Sequence, residues 1–218
     1  MIPQVVACEV MAQELREAAR GLELKVCLVD QGLHLTPERM KKVIQEKVDR
    51  AGPRPVLLGY GLCSNGLMGI RAGEGGLYVP RCHDCIALFM GSAEEFNRRF
   101  RQRPGTYYLT PGWLARRKDP LSILREEYAP RLGLAKADWA MRQELKHYTH
   151  ISLITTGVGD VAAARRRARE NCDYFSKQYE EITGSLALLR LLLAMPEDSR
   201  QIIRVKPGQH IKQEMFWK

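Results

Sequence analysis

Residues 55–61 read PVLLGYG, and this stretch indicates the fold most clearly. A short, continuous apolar run that ends in glycines is typical of a strand buried on both faces of a parallel sheet. Similar apolar runs occur at 3–7, 24–30 and 76–80. Because segments with helical spacing separate these runs, the sequence predicts alternating strands and helices.

The second half of the chain continues this alternation. Residues 105–113, GTYYLTPGW, and 150–160, HISLITTGVGD, are rich in strand formers and end in glycine turns. A helix is predicted over 161–179, and QIIRVKPGQHI at 201–211 supplies a last strand. The order of elements is therefore that of an α/β protein.

We predict a mainly parallel, doubly wound open sheet with helices on both faces and a helical insertion around 114–147. The expected organisation is a single α/β domain over 1–218, which can also be two closely packed lobes with a boundary near 114–147. At 218 residues the chain is long enough to bury a large core in either arrangement.

The chain carries a formal net charge of +9, much of it in the basic runs 98–103, 115–118 and 165–170. Basic runs can bind nucleic acid, an acidic partner or an anionic cofactor, but they are also typical of solvated helix faces. No specific nucleic-acid motif accompanies them. No apolar segment approaches the roughly 20 residues that span a bilayer, and no signal peptide is recognisable, so we expect a cytoplasmic protein.

Cysteines follow several of the predicted strands. Without a secretion signal, the six cysteines are expected to be reduced and available for metal or redox chemistry. The carboxyl ends of parallel strands share one edge of a sheet, and ligands bind there in open α/β folds. The residues that the sequence predicts at this edge are Cys8, Cys63, Cys82, His83, Asp84 and Cys85.

Four of these residues form a candidate metal site. Thiolates are ligands for iron–sulfur clusters and zinc, so Cys8, Cys63, Cys82 and Cys85 are predicted to bind an iron–sulfur cluster or, as the alternative, zinc. His83 can substitute for one thiolate. A second hypothesis is a thiol–disulfide protein that uses Cys82 and Cys85, since the start of the following helix would lower a thiol pKa. Burial of the thiols as small core residues is the third interpretation.

The remaining candidates concern proton transfer and cofactor binding. His83 and Asp84 can form a catalytic acid–base pair, although Asp84 can equally cap the following helix. Glycines let the backbone turn tightly and approach a ligand closely. The glycines with this predicted role are Gly59, Gly61, Gly66, Gly157 and Gly159.

The motifs ACEV, LGYGLCSNGL, VPRCHDCIALFMGS and PGTYYLTPGW occur in this order, followed by GSLALLRLLL and VKPGQHI. With them the chain resembles, over nearly its whole length, the prokaryotic domain-of-unknown-function family 1638. The resemblance implies a cytoplasmic protein of anaerobes that accompanies corrinoid-dependent methyl-transfer systems, with a corrinoid protein or methyltransferase as partner. It implies no established reaction.

From residues and resemblance together, we expect a metal-binding protein of anaerobic one-carbon or corrinoid-linked metabolism. The alternative from a different class is a metal-free accessory protein whose glycine loops hold a corrinoid or another cofactor.

Overall fold

The computed structural model describes residues 1–63 and 65–217. Within that part of the chain, the protein divides into two compact units, Met1–Phe96 with Ser185–Lys218, and Asn97–Gly184. Each unit has its own sheet, and the two units are described separately below.

The strands and helices alternate as predicted. In chain order the strands are β1 (Gln4–Cys8), β2 (Lys25–Val29), β3 (Val56–Gly59), β4 (Leu77–Pro80), β5 (Thr106–Leu109), β6 (His150–Thr155), β7 (Gln178–Thr183) and β8 (Ile202–Val205). The α-helices are α1 (Ala12–Ala18), α2 (Pro37–Asp49), α3 (Ile86–Met90), α4 (Ala93–Gln102), α5 (Pro111–Ala115), α6 (Pro120–Ile123), α7 (Ala129–Leu132), α8 (Leu134–Glu144), α9 (Val161–Phe175) and α10 (Ala187–Leu193).

The first unit contains a five-stranded sheet in the order β2-β1-β3-β4-β8. β1 pairs in parallel with β2 and β3, β3 pairs in parallel with β4, and β8 closes the sheet as an antiparallel edge strand. Every residue of β1, β3 and β4 is buried, which explains why these strands read as continuous apolar runs. The predicted mainly parallel α/β class is confirmed.

Helix α2 shows how the sequence fixes the helices of this unit. Pro37 occupies the first turn, where its missing N–H costs nothing, and Thr36 precedes it at the N-cap position. Met40, Ile44 and Val48 recur every four residues and form the buried stripe of the helix. Proline chemistry and apolar spacing together therefore account for where this helix begins and which face it buries.

The second unit contains the three-stranded parallel sheet β5-β6-β7. Leu109, Ile151 and Leu153 pack against Ala168 and Cys172 of α9 to form its core. The helix predicted over 161–179 is too long, because Ser176 adopts a left-handed backbone with φ 54° and ends it. The next residues form β7, a polar edge strand whose sequence lacks an apolar pattern.

The predicted helical insertion around 114–147 is confirmed as a series of short helices. Pro120 starts α6, where buried Asp119 caps the helix by accepting a hydrogen bond from the Ser122 amide at 3.2 Å. The Asn171 amide group also donates to Asp119 at 2.7 Å and ties the insertion to α9. Leu124–Tyr128 is a π-helical turn that leads into α7 and α8.

Over residues 1–63 and 65–217, none of the helices is both long enough and apolar enough to cross a membrane.

Candidate thiolate site

Two loops of the first unit run side by side at the carboxyl edge of its sheet. The Leu62 amide donates to the Cys82 carbonyl at 2.9 Å, and the Cys63 amide donates to the His83 carbonyl at 3.0 Å. The loops approach so closely that a Cβ atom on Gly61 would lie 2.7 Å from the backbone carbonyl carbon of Asp84. Only glycine fits there, and the close approach brings Cys63 next to Cys85.

Cys63 has an unusual backbone conformation. Its φ of 45° lies in the left-handed region, which residues with a Cβ adopt at a cost of order 1–3 kcal/mol. The Gly66 amide closes the turn on the Cys63 carbonyl at 3.0 Å. Cys63 is half-buried, whereas Cys8, Cys82 and Cys85 are buried. Strain of this kind concentrates at functional sites, and here it affects the least buried cysteine of the group.

The ionisation of Cys63 and that of Cys85 are linked, because the two side chains lie side by side where the two loops meet. The hydrogen bond from Cys85, aided by the neighbouring His34, lowers the pKa of Cys63 to about 6 although burial opposes ionisation. The same hydrogen bond, together with burial, raises the pKa of Cys85 well above its ordinary value. Of the two sulfurs, Cys63 is therefore the one that ionises first, and Cys85 retains its proton to higher pH.

His34 supplies the positive charge of the site. It lies on the 3₁₀ helix Gln31–Leu35 that follows β2, and its imidazole faces Cys63 and Cys8. Burial lowers its pKa, but hydrogen bonding and charge attraction to these two sulfurs outweigh that and raise the pKa to about 10. An imidazolium beside a thiolate is the arrangement that stabilises reactive cysteines.

Two buried polar atoms at this edge have no hydrogen-bond partner in the part of the chain that the structure describes. They are Nε2 of His34 and the hydroxyl oxygen of Tyr60, whose rings lie 6.0 Å apart. Burial and the nearby Cys8 and Cys63 raise the pKa of Tyr60, so its hydroxyl stays protonated and remains a donor. Buried groups of this kind normally have a partner, so the edge has hydrogen-bonding capacity for a ligand or water.

The structure groups the predicted cysteines differently from the sequence hypothesis. Cys8 and Cys63 lie near His34, and Cys85 is the neighbour of Cys63, whereas Cys82 is affected mainly by its own burial. Burial raises the pKa of Cys82, so it remains a neutral thiol. The sulfur that pairs with Cys85 is thus Cys63, from the other loop.

His83 and Asp84 contact groups outside the cysteine cluster. The His83 ring packs against Trp217, with ring centroids 4.6 Å apart, and lies 6.5 Å from the ring of Phe216. Asp84 accepts a hydrogen bond from the Ile86 amide at 2.9 Å, where α3 begins. The geometry accounts for Asp84 as a cap, and its charge also disfavours ionisation of the neighbouring thiols. The catalytic roles suggested for both residues stay predictions.

The predicted cofactor glycines fall into two groups. A Cβ on Gly59 would lie 2.7 Å from the Cβ of Ala7, so Gly59 serves close packing between strands, as Gly61 does between loops. Gly157 and Gly159 follow β6 with φ values of 79° and 84°. They belong to the second unit and its separate sheet, and not to the sheet whose edge carries Cys63 and Cys85.

Sequence analysis did not assign His34 or Tyr60 to the site, although their positions contain the signal. His34 comes five residues after the end of β2, and Tyr60 directly follows β3, so both lie at the carboxyl edge. Within residues 1–63 and 65–217, no three His, Cys, Asp or Glu side chains are placed to hold one metal ion. The donors near His34 are chemically suited to a soft metal, but their present placement does not form such a site.

Fold and site together define a mainly parallel α/β protein with a cysteine–histidine cluster at the carboxyl edge of one sheet. Residues 28–193 match the family model DUF1638, described as a protein of unknown function, and the chain belongs to this family. Comparison with curated proteins and with solved structures finds no match.

Proposed function

We propose that the protein performs thiol–disulfide exchange, with Cys63 as the attacking sulfur and Cys85 as the resolving sulfur. The observation that carries this proposal is the packing of two loops against each other, through backbone hydrogen bonds and the close approach of Gly61 to Asp84, which places half-buried Cys63 beside buried Cys85. A thiol with a lowered pKa beside a thiol with a raised pKa is the arrangement of disulfide oxidoreductases.

The proposed exchange has two steps. The Cys63 thiolate attacks one sulfur of a substrate disulfide, the substrate S–S bond breaks, and one substrate thiolate leaves. The Cys85 sulfur then attacks Cys63 in the mixed disulfide and releases the second substrate half. The proton of Cys85 ends on a released thiolate. The substrate is reduced, the protein is oxidised to a Cys63–Cys85 disulfide, and an external dithiol reductant restores it.

His34 and Tyr60 support the first step. The His34 imidazolium stabilises the Cys63 thiolate before attack, because opposite charges attract strongly where little water is present. The Tyr60 hydroxyl provides a hydrogen-bond donor at the same edge.

Oxidation of the reduced full chain with glutathione disulfide tests the pairing. We expect a single intramolecular disulfide between Cys63 and Cys85, identified by peptide mass spectrometry. Cys82→Ser is the matched control and should form the same product. A Cys82–Cys85 disulfide, or a Cys63 that stays fully alkylatable after oxidation, would contradict the proposal.

A metal centre is the second candidate, as either an iron–sulfur cluster or zinc. It is favoured by the buried Nε2 of His34, which has no hydrogen bond to the described residues, and by the presence of Cys63 and Cys8 near the same side chain. Sulfur and imidazole donors suit both metals. Because three ligands are not yet in place, binding would require these side chains to reorient.

Anaerobic reconstitution tests this candidate. The full chain would be incubated with zinc, or with ferrous iron and sulfide, and bound metal would be measured after desalting. His34→Gln should lower occupancy by roughly tenfold if His34 is a ligand, whereas Cys27→Ser, on β2, should leave it unchanged. Equal metal content in wild type and His34→Gln would count against the centre.

The biological setting is a further part of the proposal. All six cysteines are free thiols, which supports a reducing compartment such as the cytoplasm. The family resemblance supports a role in anaerobic one-carbon or corrinoid-linked metabolism, with a corrinoid protein or methyltransferase as partner. A thiol–disulfide protein in that setting would keep a partner's cysteines or metal ligands reduced.

A further inference from the structure

The second unit contains a cavity of about 220 Å³ beside the basic run at 98–103. Its lining includes three arginines, Arg98, Arg99 and Arg103, together with Thr106, Tyr108 and Glu180. The formal charge of these side chains is positive, because three arginines face one carboxylate. The cavity lies entirely within Asn97–Gly184 and is independent of the thiolate site.

One face of the three-stranded sheet is polar at this cavity. Tyr108, Ser152 and Glu180 are register partners on β5, β6 and β7 and form one row across the sheet. Their sequence neighbours Leu109 and Ile151 belong to the apolar core with α9, on the opposite face. Since parallel sheets are usually apolar on both faces, a polar row here needs a cause other than core packing.

Glu180 organises the arginines. Its carboxylate accepts hydrogen bonds from Arg99 and Arg103, each at 3.1 Å, and from the hydroxyl of Ser152 at 2.8 Å. Ser152 is fully buried, so one of the groups that position this carboxylate is shielded from solvent. A guanidinium presents five N–H donors in a planar fork, and this geometry suits the oxygens of carboxylate and phosphate groups alike.

We propose that this cavity binds the phosphate group of a small phosphorylated molecule. Arginine recognises phosphate through planar, charge-assisted hydrogen bonds, and a carboxylate beside it can accept hydrogen bonds from hydroxyl groups of the same ligand. A water molecule occupies about 30 Å³, so the cavity has room for a phosphate and a short organic part.

Calorimetric titration of the full chain with inorganic phosphate, and separately with glycerol 3-phosphate, tests the proposal at constant ionic strength. Both ligands should bind, and tighter binding of glycerol 3-phosphate would identify an organic phosphate as the ligand, whereas equal binding would identify free phosphate. Arg99→Gln and Arg98→Gln should each weaken binding by about tenfold, since hydrogen bonds to charged groups contribute this much.

Arg98→Gln and Arg99→Gln differ in the contacts that they remove from the protein. Arg98 bonds Gln102, so Arg98→Gln leaves both partners of the Arg99–Glu180 and Arg103–Glu180 ion pairs in the chain, whereas Arg99→Gln removes one of them. Arg166→Gln is the matched control, because it removes one exposed positive charge from α9 in the same unit. Equal weakening by Arg166→Gln, undiminished binding in Arg98→Gln and Arg99→Gln, or displacement of phosphate by tighter-binding single-stranded RNA would overturn the proposal.

Discussion

Replacing Cys85 by alanine should move the ionisation of Cys63 from about pH 6 into the alkaline range. The hydrogen bond from Cys85 is the largest influence that lowers the pKa of Cys63, and alanine removes the donor. Burial then disfavours the thiolate with only His34 to oppose it. The measurement is the rate of iodoacetamide reaction at Cys63 as a function of pH, followed by peptide mass spectrometry.

Because the thiolate is the reactive form and the pKa of Cys63 is lowered, the alkylation rate should rise with pH and reach its plateau early. In the wild type, the rate should be low below about pH 6, where Cys63 is protonated, and reach its plateau above that value. Cys85→Ser is the matched control, because its hydroxyl still donates a hydrogen bond and should keep the midpoint low. His34→Gln should also raise the midpoint, but by less than Cys85→Ala. A midpoint that is the same in wild type and Cys85→Ala would contradict the pairing.

The α/β class could be predicted from the sequence because buried parallel strands carry an unmistakable pattern. PVLLGYG contains β3, whose residues are all buried, so no polar residue interrupts the strand. The division into two sheets could not be predicted in the same way. β7 is a polar edge strand of the second sheet, and Gln178–Thr183 has neither continuous nor alternating apolar residues.

The sequence predicts that several cysteines lie at one edge of a sheet, but it does not predict which of them are neighbours. Cys8, Cys63 and Cys85 follow strands of one parallel sheet, and the topology alone brings them to one edge. The choice of partner within that edge depends on loop geometry. Gly61 packs against the Asp84 backbone and places Cys63 beside Cys85, a contact between residues that are 22 positions apart and that no local motif reveals.

His34 illustrates the same limit. Local sequence shows a polar residue before a helix start, which is typical of an exposed loop. Only the 3₁₀ turn Gln31–Leu35, capped by Asp30 at the Gly32 amide, folds its imidazole back towards Cys63 and Cys8. The position of the positively charged His34 therefore depends on tertiary structure, whereas the cysteines could be chosen as candidates from the sequence.

The second large effect concerns the resolving step. In Cys85→Ser, Cys63 keeps a hydrogen-bond donor beside it and should still attack a disulfide, but no sulfur remains at position 85 to release the adduct. A mixed disulfide on Cys63 should therefore accumulate, whereas the wild type should pass through it to the intramolecular product. Cys82→Ser, which retains Cys63 and Cys85, should behave like the wild type.

Intact mass spectrometry after incubation with glutathione disulfide tests the central claim most directly. We expect Cys85→Ser to retain one glutathione per chain, mapped to Cys63, and the wild type to retain none and lose two hydrogen atoms instead. Glutathione retained equally by wild type and Cys85→Ser, or found on another cysteine, would show that Cys63 and Cys85 are not an attacking and resolving pair.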